Sequence, residues 1–68
     1  MRKRGRQLKA GDHIKVWWKP HVDKIIELRP YRGPLEYLWA KEGGARIATF
    51  AINKTGMTIG PEEVYETV

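Results

Sequence analysis

Apolar and polar positions alternate along residues 12–19. Ile14, Val16 and Trp18 fall on one side, and His13, Lys15, Trp17 and Lys19 on the other. This is the pattern of a strand with one buried face. Neighbouring strand residues face opposite ways, so only one of the two adjacent tryptophans can enter a core. Trp18 joins Ile14 and Val16, and Trp17 stays outside. A second β-rich run, residues 22–28 with Ile25, Ile26 and Leu28, ends before Pro30, whose missing N–H bars it from a central ladder position. Residues 35–39 alternate Leu35, Tyr37 and Trp39 against Glu36 and Leu38, predicting a third strand with the first set buried. Gly43-Gly44 then predicts a tight turn into a fourth strand at residues 46–52.

A turn at residues 53–56, a short fifth strand at 57–59 and a turn at Gly60-Pro61 follow. The closing segment, residues 64–68, reads as a strand whose Val64 and Tyr65 plug the end of the core. The alternative is a helix starting at Pro61, with Glu62 and Glu63 near its positive end. Three β-branched residues in so short a stretch make a poor helix. Five short strands separated by regular turns predict an all-β domain, a small bent sheet closed into a barrel so that its edges are protected.

Residues 8–16 (Leu-Lys-Ala-Gly-Asp-His-Ile-Lys-Val) and residues 56–66 (Gly-Met-Thr-Ile-Gly-Pro-Glu-Glu-Val-Tyr-Glu) resemble the first strand and the strand, 3₁₀ turn, strand closure of SH3-like small barrels. The resemblance implies a five-stranded SH3-like barrel over residues 10–68, preceded by a flexible basic arm at residues 1–9. The segments Leu28-Arg29-Pro30-Tyr31 and Gly56-Met57-Thr58-Ile59 also resemble parts of short bacteriophage and prophage proteins, and that likeness brings no activity with it.

Size and composition narrow the field. A chain of 68 residues forms one domain, and at that size only about 60% of the unfolded surface is buried on folding. With no cysteine, neither disulfides nor zinc–thiolate sites support the core, and apolar packing must. No apolar stretch approaches the roughly 20 residues needed to span a bilayer, and no apolar segment of the signal-peptide kind follows the basic start. The expectation is a soluble, cytoplasmic protein without membrane contact.

Charge is uneven. Residues 1–32 hold ten Lys or Arg against three acidic residues, and residues 33–68 hold three against five, giving +7 and −2. Such asymmetry points to an anionic partner for the first half, DNA or RNA foremost and an acidic protein surface second.

Catalytic chemistry has few candidates. The chain lacks Cys and Ser, and His13 and His21 are its only imidazoles. Thr49, Thr55, Thr58 and Thr67 are ordinary strand and turn residues for a β protein. Asp12-His13 and His21-Val22-Asp23 bring together metal-ligating types, but the histidines lie on the polar side of a strand and beside Pro20, and Asp12 follows Gly11 at a turn, which favours an ordinary structural reading. Gly43-Gly44 lacks the Lys-Thr of a phosphate-binding loop. The expectation is a protein that is no enzyme and needs no cofactor or metal.

Binding chemistry is better represented. Arg2, Lys3, Arg4 and Arg6 give the opening segment its charge, suited to following a phosphate backbone. Trp17 between Lys15 and Lys19 suits stacking on a base or anchoring a protein, unless it lies beneath the arm or against Arg29 in a cation–π contact. The loop carrying Arg29, Tyr31 and Arg32 is stiffened by Pro30 and Pro34 and would extend the Trp17 surface into one basic, aromatic face. These residues together predict a non-catalytic, low-specificity nucleic-acid-binding module. The alternative is a protein-interaction or assembly module of phage origin, a virion component or a host-directed inhibitor.

Overall fold

The computed structural model describes residues 1–54 and 56–68, so Thr55, within the turn expected at residues 53–56, lies outside the described residues. Among the described residues six strands occur in order: β1 (Arg2–Arg4), β2 (His13–Lys15), β3 (Val22–Pro30), β4 (Arg46–Phe50), β5 (Met57–Ile59) and β6 (Val64–Glu66). They form two antiparallel sheets, a four-stranded one ordered β2-β3-β4-β5 and a two-stranded one pairing β1 with β6. A single bridge between Ile14 and Thr67 ties the sheets together, next to the bond from the Val68 N–H to the His13 carbonyl at 2.9 Å. The molecule is a small, mostly β domain with curled antiparallel sheets, as the period-two pattern predicts.

Leu8, Ile14, Ile25, Ala48, Phe50 and Ile59 are its buried centre, with Val16, Trp18, Leu28, Met57 and Tyr65 packed around them. On β2 and its continuation the expected division holds: Ile14, Val16 and Trp18 face in, and His13, Lys15, Trp17 and Lys19 face solvent. A register shift between Ile25 and Glu27 inserts a bulge in β3. It turns both Ile26 and Glu27 outward before Leu28 returns to the core.

Two expectations are corrected. Residues 35–39 are not a strand, because Glu36–Glu42 forms a 3₁₀ helix. Its composition explains this: Glu, Leu, Ala and Lys are helix formers, Pro34 stands just before it, and Gly43 and Gly44, at φ 99° and 91°, stop it in the left-handed region. The Gly-Gly pair is thus a helix end, not a hairpin turn, with the Gly43 N–H donating to the Ala40 carbonyl and the Gly44 N–H to that of Trp39. Leu35, Tyr37 and Leu38 are left exposed, and only Trp39 of the expected buried set is partly covered.

The second correction concerns the opening segment. Residues 1–9 are no mobile arm, since Arg2, Lys3 and Arg4 pair with Glu66, Tyr65 and Val64. A 3₁₀ turn at Gly5–Gln7 follows, where the Gln7 side chain accepts from the Arg4 N–H at 2.8 Å. The Gly5 N–H donates to the Glu63 carbonyl and the Arg6 N–H to that of Pro61. Leu8 then enters the core, a burial worth about 2 kcal/mol. The segment is held by backbone bonds and one apolar anchor, which charge counting does not register.

The closing segment is strand, not helix. Tyr65 packs against the core, and Val64, expected beside it, is exposed. The Tyr65 hydroxyl donates to Glu63 Oε2 at 2.9 Å and accepts from the Gly60 N–H at 3.2 Å. Burial and the bond to Glu63 push it up from 10.0 to about 12. A pKa raised in the fold leaves stability intact below the unfolded value near pH 10 and removes it as pH rises towards 12. A spectrophotometric titration of wild type minus Tyr65→Phe should therefore show one phenolate emerging near pH 12. Emergence near pH 10 in the difference would contradict it.

Candidate nucleic-acid interface

The turn between β2 and β3 is built around Trp18. Its ring meets Phe50 perpendicularly at 5.1 Å, and its Nε1 donates to Asp23 Oδ2 at 2.8 Å. Asp23 is buried and also accepts from the Lys24, Ile52 and Asn53 N–H groups at 2.8, 3.0 and 3.0 Å. Burial alone would raise its carboxyl, but these four donors outweigh it and hold the group below its ordinary 3.8. The turn is closed by the Val16 N–H to His21 carbonyl bond at 3.1 Å and the His21 N–H to Trp18 carbonyl bond at 2.6 Å, with a cis Lys19-Pro20 peptide and His21 at φ 72°.

Trp17 is carried on this base. It stands perpendicular to Trp18 at 5.4 Å between centroids and is 79% exposed. It lies neither under the opening segment nor on Arg29. Lys15, two residues back at the end of β2, is also exposed. Lys24 lies opposite His13 in the β2–β3 register, also facing out. Sequence reasoning missed Lys24. The signal was present: Lys24 is out of phase with Asp23 and Ile25, both of which point inward.

The cations expected to bind divide sharply. Arg2 pairs with Glu66 at 3.2 Å, Lys3 with Asp12 at 3.4 Å, and Arg4 and Arg6 with Glu62 at 3.1 and 2.7 Å. Arg29 pairs with Glu27 at 3.0 Å and Arg32 with Glu36 at 3.9 Å. Lys15, Lys19 and Lys24 make no ion pair among the described residues. For Lys19 and Lys24 the nearest carboxylate in sequence, Asp23, is turned inward, and Asp12, three residues before Lys15, is engaged by Lys3. Of the six lysines without an ion pair among the described residues, three, Lys15, Lys19 and Lys24, therefore belong to the β2–β3 hairpin that carries Trp17, the others being Lys9, Lys41 and Lys54.

The expected continuous surface from Trp17 to Tyr31 is not formed. Trp17 precedes β3 and Tyr31 follows it, and a nine-residue strand separates its ends by about 26 Å. Tyr31 instead meets Trp39 perpendicularly at 5.8 Å and its hydroxyl accepts from the Leu35 N–H. It helps line an open groove of about 980 Å³ with Arg6, Arg32, Tyr37, Arg46 and Pro61. Cations there already have partners. Arg46 Nη2 donates to the Gly5 and Leu8 carbonyls, and Glu36 and Glu42 also line the groove, so its charge is nearly balanced.

Among the described residues no three His, Asp or Glu side chains are grouped to hold a metal ion, and no helix is long and apolar enough to cross a membrane. Comparison with protein-family models, with curated proteins and with solved structures returned no match.

Proposed function

We propose that the protein is a non-catalytic binding module that takes up nucleic acid with little sequence preference, through the β2–β3 hairpin. The observation that carries this is the meeting of three unpaired lysines with the exposed Trp17 on a turn fixed by Trp18 and Asp23. Lysines without carboxylate partners suit phosphates directly. Each arginine of the opening segment must first give up its carboxylate, so those cations are a secondary reserve. An SH3-like barrel is the architecture we favour, supported by the Ile14–Thr67 bridge that links β2 to the end of β6.

Three lysine–phosphate contacts imply a slope of log K against log salt of about −2 to −3. Fluorescence-anisotropy titrations of labelled DNA and RNA at several salt concentrations check this. Changing Lys15, Lys19 and Lys24 together to Glu should abolish binding, whereas Arg2→Gln with Arg4→Gln should change it little. Salt-insensitive binding, or none to any DNA or RNA at low salt, sinks the proposal.

A protein-interaction role is favoured by a different observation, the exposed Leu35, Tyr37 and Leu38 around the 3₁₀ helix. Those side chains lie away from the hairpin lysines in sequence, so Tyr37→Ala with Leu38→Ala should spare nucleic-acid binding if the two surfaces are separate.

A further inference from the structure

Resting on the nucleic-acid reading, we infer that the hairpin selects single strands over duplexes, with Trp17 as a stacking platform for an unpaired base. The geometry leaves a ring face available whichever way the tryptophan pair is arranged. A perpendicular contact with Trp18 covers at most one face of the Trp17 indole, so at least one is free, in keeping with its 79% exposure. The platform is also preorganised. Phe50, buried in the core, supports Trp18, Asp23 fixes the Trp18 nitrogen, and Trp18 supports Trp17.

The contact with Trp18 gives the Trp17 ring one resting place before a base arrives, which lowers the side-chain freedom lost on binding. Lys15 and Lys19 flank the ring in sequence, and Lys24 lies across the hairpin. A backbone whose base rests on Trp17 therefore meets ammonium groups in reach of its phosphates. In a duplex the base faces are already stacked on their neighbours, and exposing one requires flipping it out. A single strand offers its faces freely and in any sequence.

The test compares oligo-dT, oligo-U, a mixed-sequence hairpin duplex and an abasic strand of equal length, with wild type, Trp17→Ala and Trp17→Phe. Stacking of one base is worth about 5- to 150-fold in affinity. Wild type should prefer oligo-dT and oligo-U to the duplex and to the abasic strand by a factor in that range. Trp17→Ala should remove the preference while leaving duplex and abasic binding within about twofold, and Trp17→Phe should retain most of it. Because Trp17 is outside the core, both variants should keep the wild-type melting temperature.

Equal or tighter duplex binding by wild type overturns the inference, as does equal loss on every ligand in Trp17→Ala. In either case, salt-dependent binding abolished by the triple lysine change leaves the underlying nucleic-acid reading standing. Absence of binding to all four ligands removes both.

Discussion

Gly5→Ala should lower the melting temperature by about 10 °C or more, although the sequence places this residue in a polar, basic stretch that looks dispensable. A Cβ at Gly5 would lie 1.9 Å from the Gly60 carbonyl oxygen, 2.8 Å from its carbon and 2.8 Å from Ile59 Cγ2. The obstacle is backbone, and it is fixed on both sides. Gly5 donates to the Glu63 carbonyl at 2.8 Å, and the Gly60 carbonyl accepts from the Glu63 N–H at 3.3 Å. Relief requires the two chain segments to part by about 1 Å, which breaks the crossing that seats β1 on β6.

Overpacking of this kind costs about 3 kcal/mol at the upper end of its usual range. For a domain this small each kcal/mol moves the midpoint by roughly 4–8 °C. Gly11→Ala is the control: its φ of 103° makes a side chain strained, but nothing lies within 4 Å, so a loss of about 1–2 kcal/mol is expected. Thermal melts by circular dichroism decide the matter. A Gly5→Ala protein that melts with wild type would mean that residues 2–6 are undocked in solution.

Asp23→Ala should cost about 3–4 kcal/mol, since it orphans four donors at once and hydrogen bonds to a charged group are the strong ones. Asp23→Asn offers no rescue. Oδ1 accepts from Lys24 and Ile52, and Oδ2 from Trp18 and Asn53, so an amide nitrogen at either position faces two N–H groups. The carboxyl is held below 3.8 in the fold. Its contribution is therefore present above the unfolded value near 3.8 and is lost as pH falls through the lower folded value. Urea unfolding from neutral pH down to below pH 4 should show wild type losing stability faster than Asp23→Asn over that interval. Parallel curves would show that Asp23 does not link folding to acid. The same variants loosen Trp18, so Trp17-dependent binding should fall with them.

What the sequence made legible follows from local rules. Ile14, Val16 and Trp18 could be separated from Lys15, Trp17 and Lys19 because a strand has only two sides. Residues 46–52 and 57–59 stood out between glycines, the first ending at Phe50 in the fold. Residues 35–39 misled because an alternating stretch inside Leu-Glu-Tyr-Leu-Trp-Ala-Lys-Glu also belongs to good helix formers, and Pro34 with Gly43 were the better guides. β1 was invisible because Arg-Lys-Arg has no apolar period, and its partner lies at the far end of the chain. The pairing of most of the cations was hidden for the same reason, since Glu62 and Glu66 become neighbours of Arg2, Arg4 and Arg6 only through the fold. Asp23 as a buried anchor was within reach, being in phase with Ile25 and opposite Ile14.

The pairing of β1 with β6 has a consequence for how the chain is made. Arg2 and Glu66 are 64 positions apart, and contacts of such separation form slowly because a long loop must close first. During synthesis the first strand emerges with no partner to pair with. Until residues 59–66 follow, Arg2 and Arg4 lack their carboxylates, Glu66 and Glu62, and the Gly5 crossing over Gly60 has nothing to cross. A nascent chain halted before Ile59 therefore carries its opening cations without the partners that hold them in the fold.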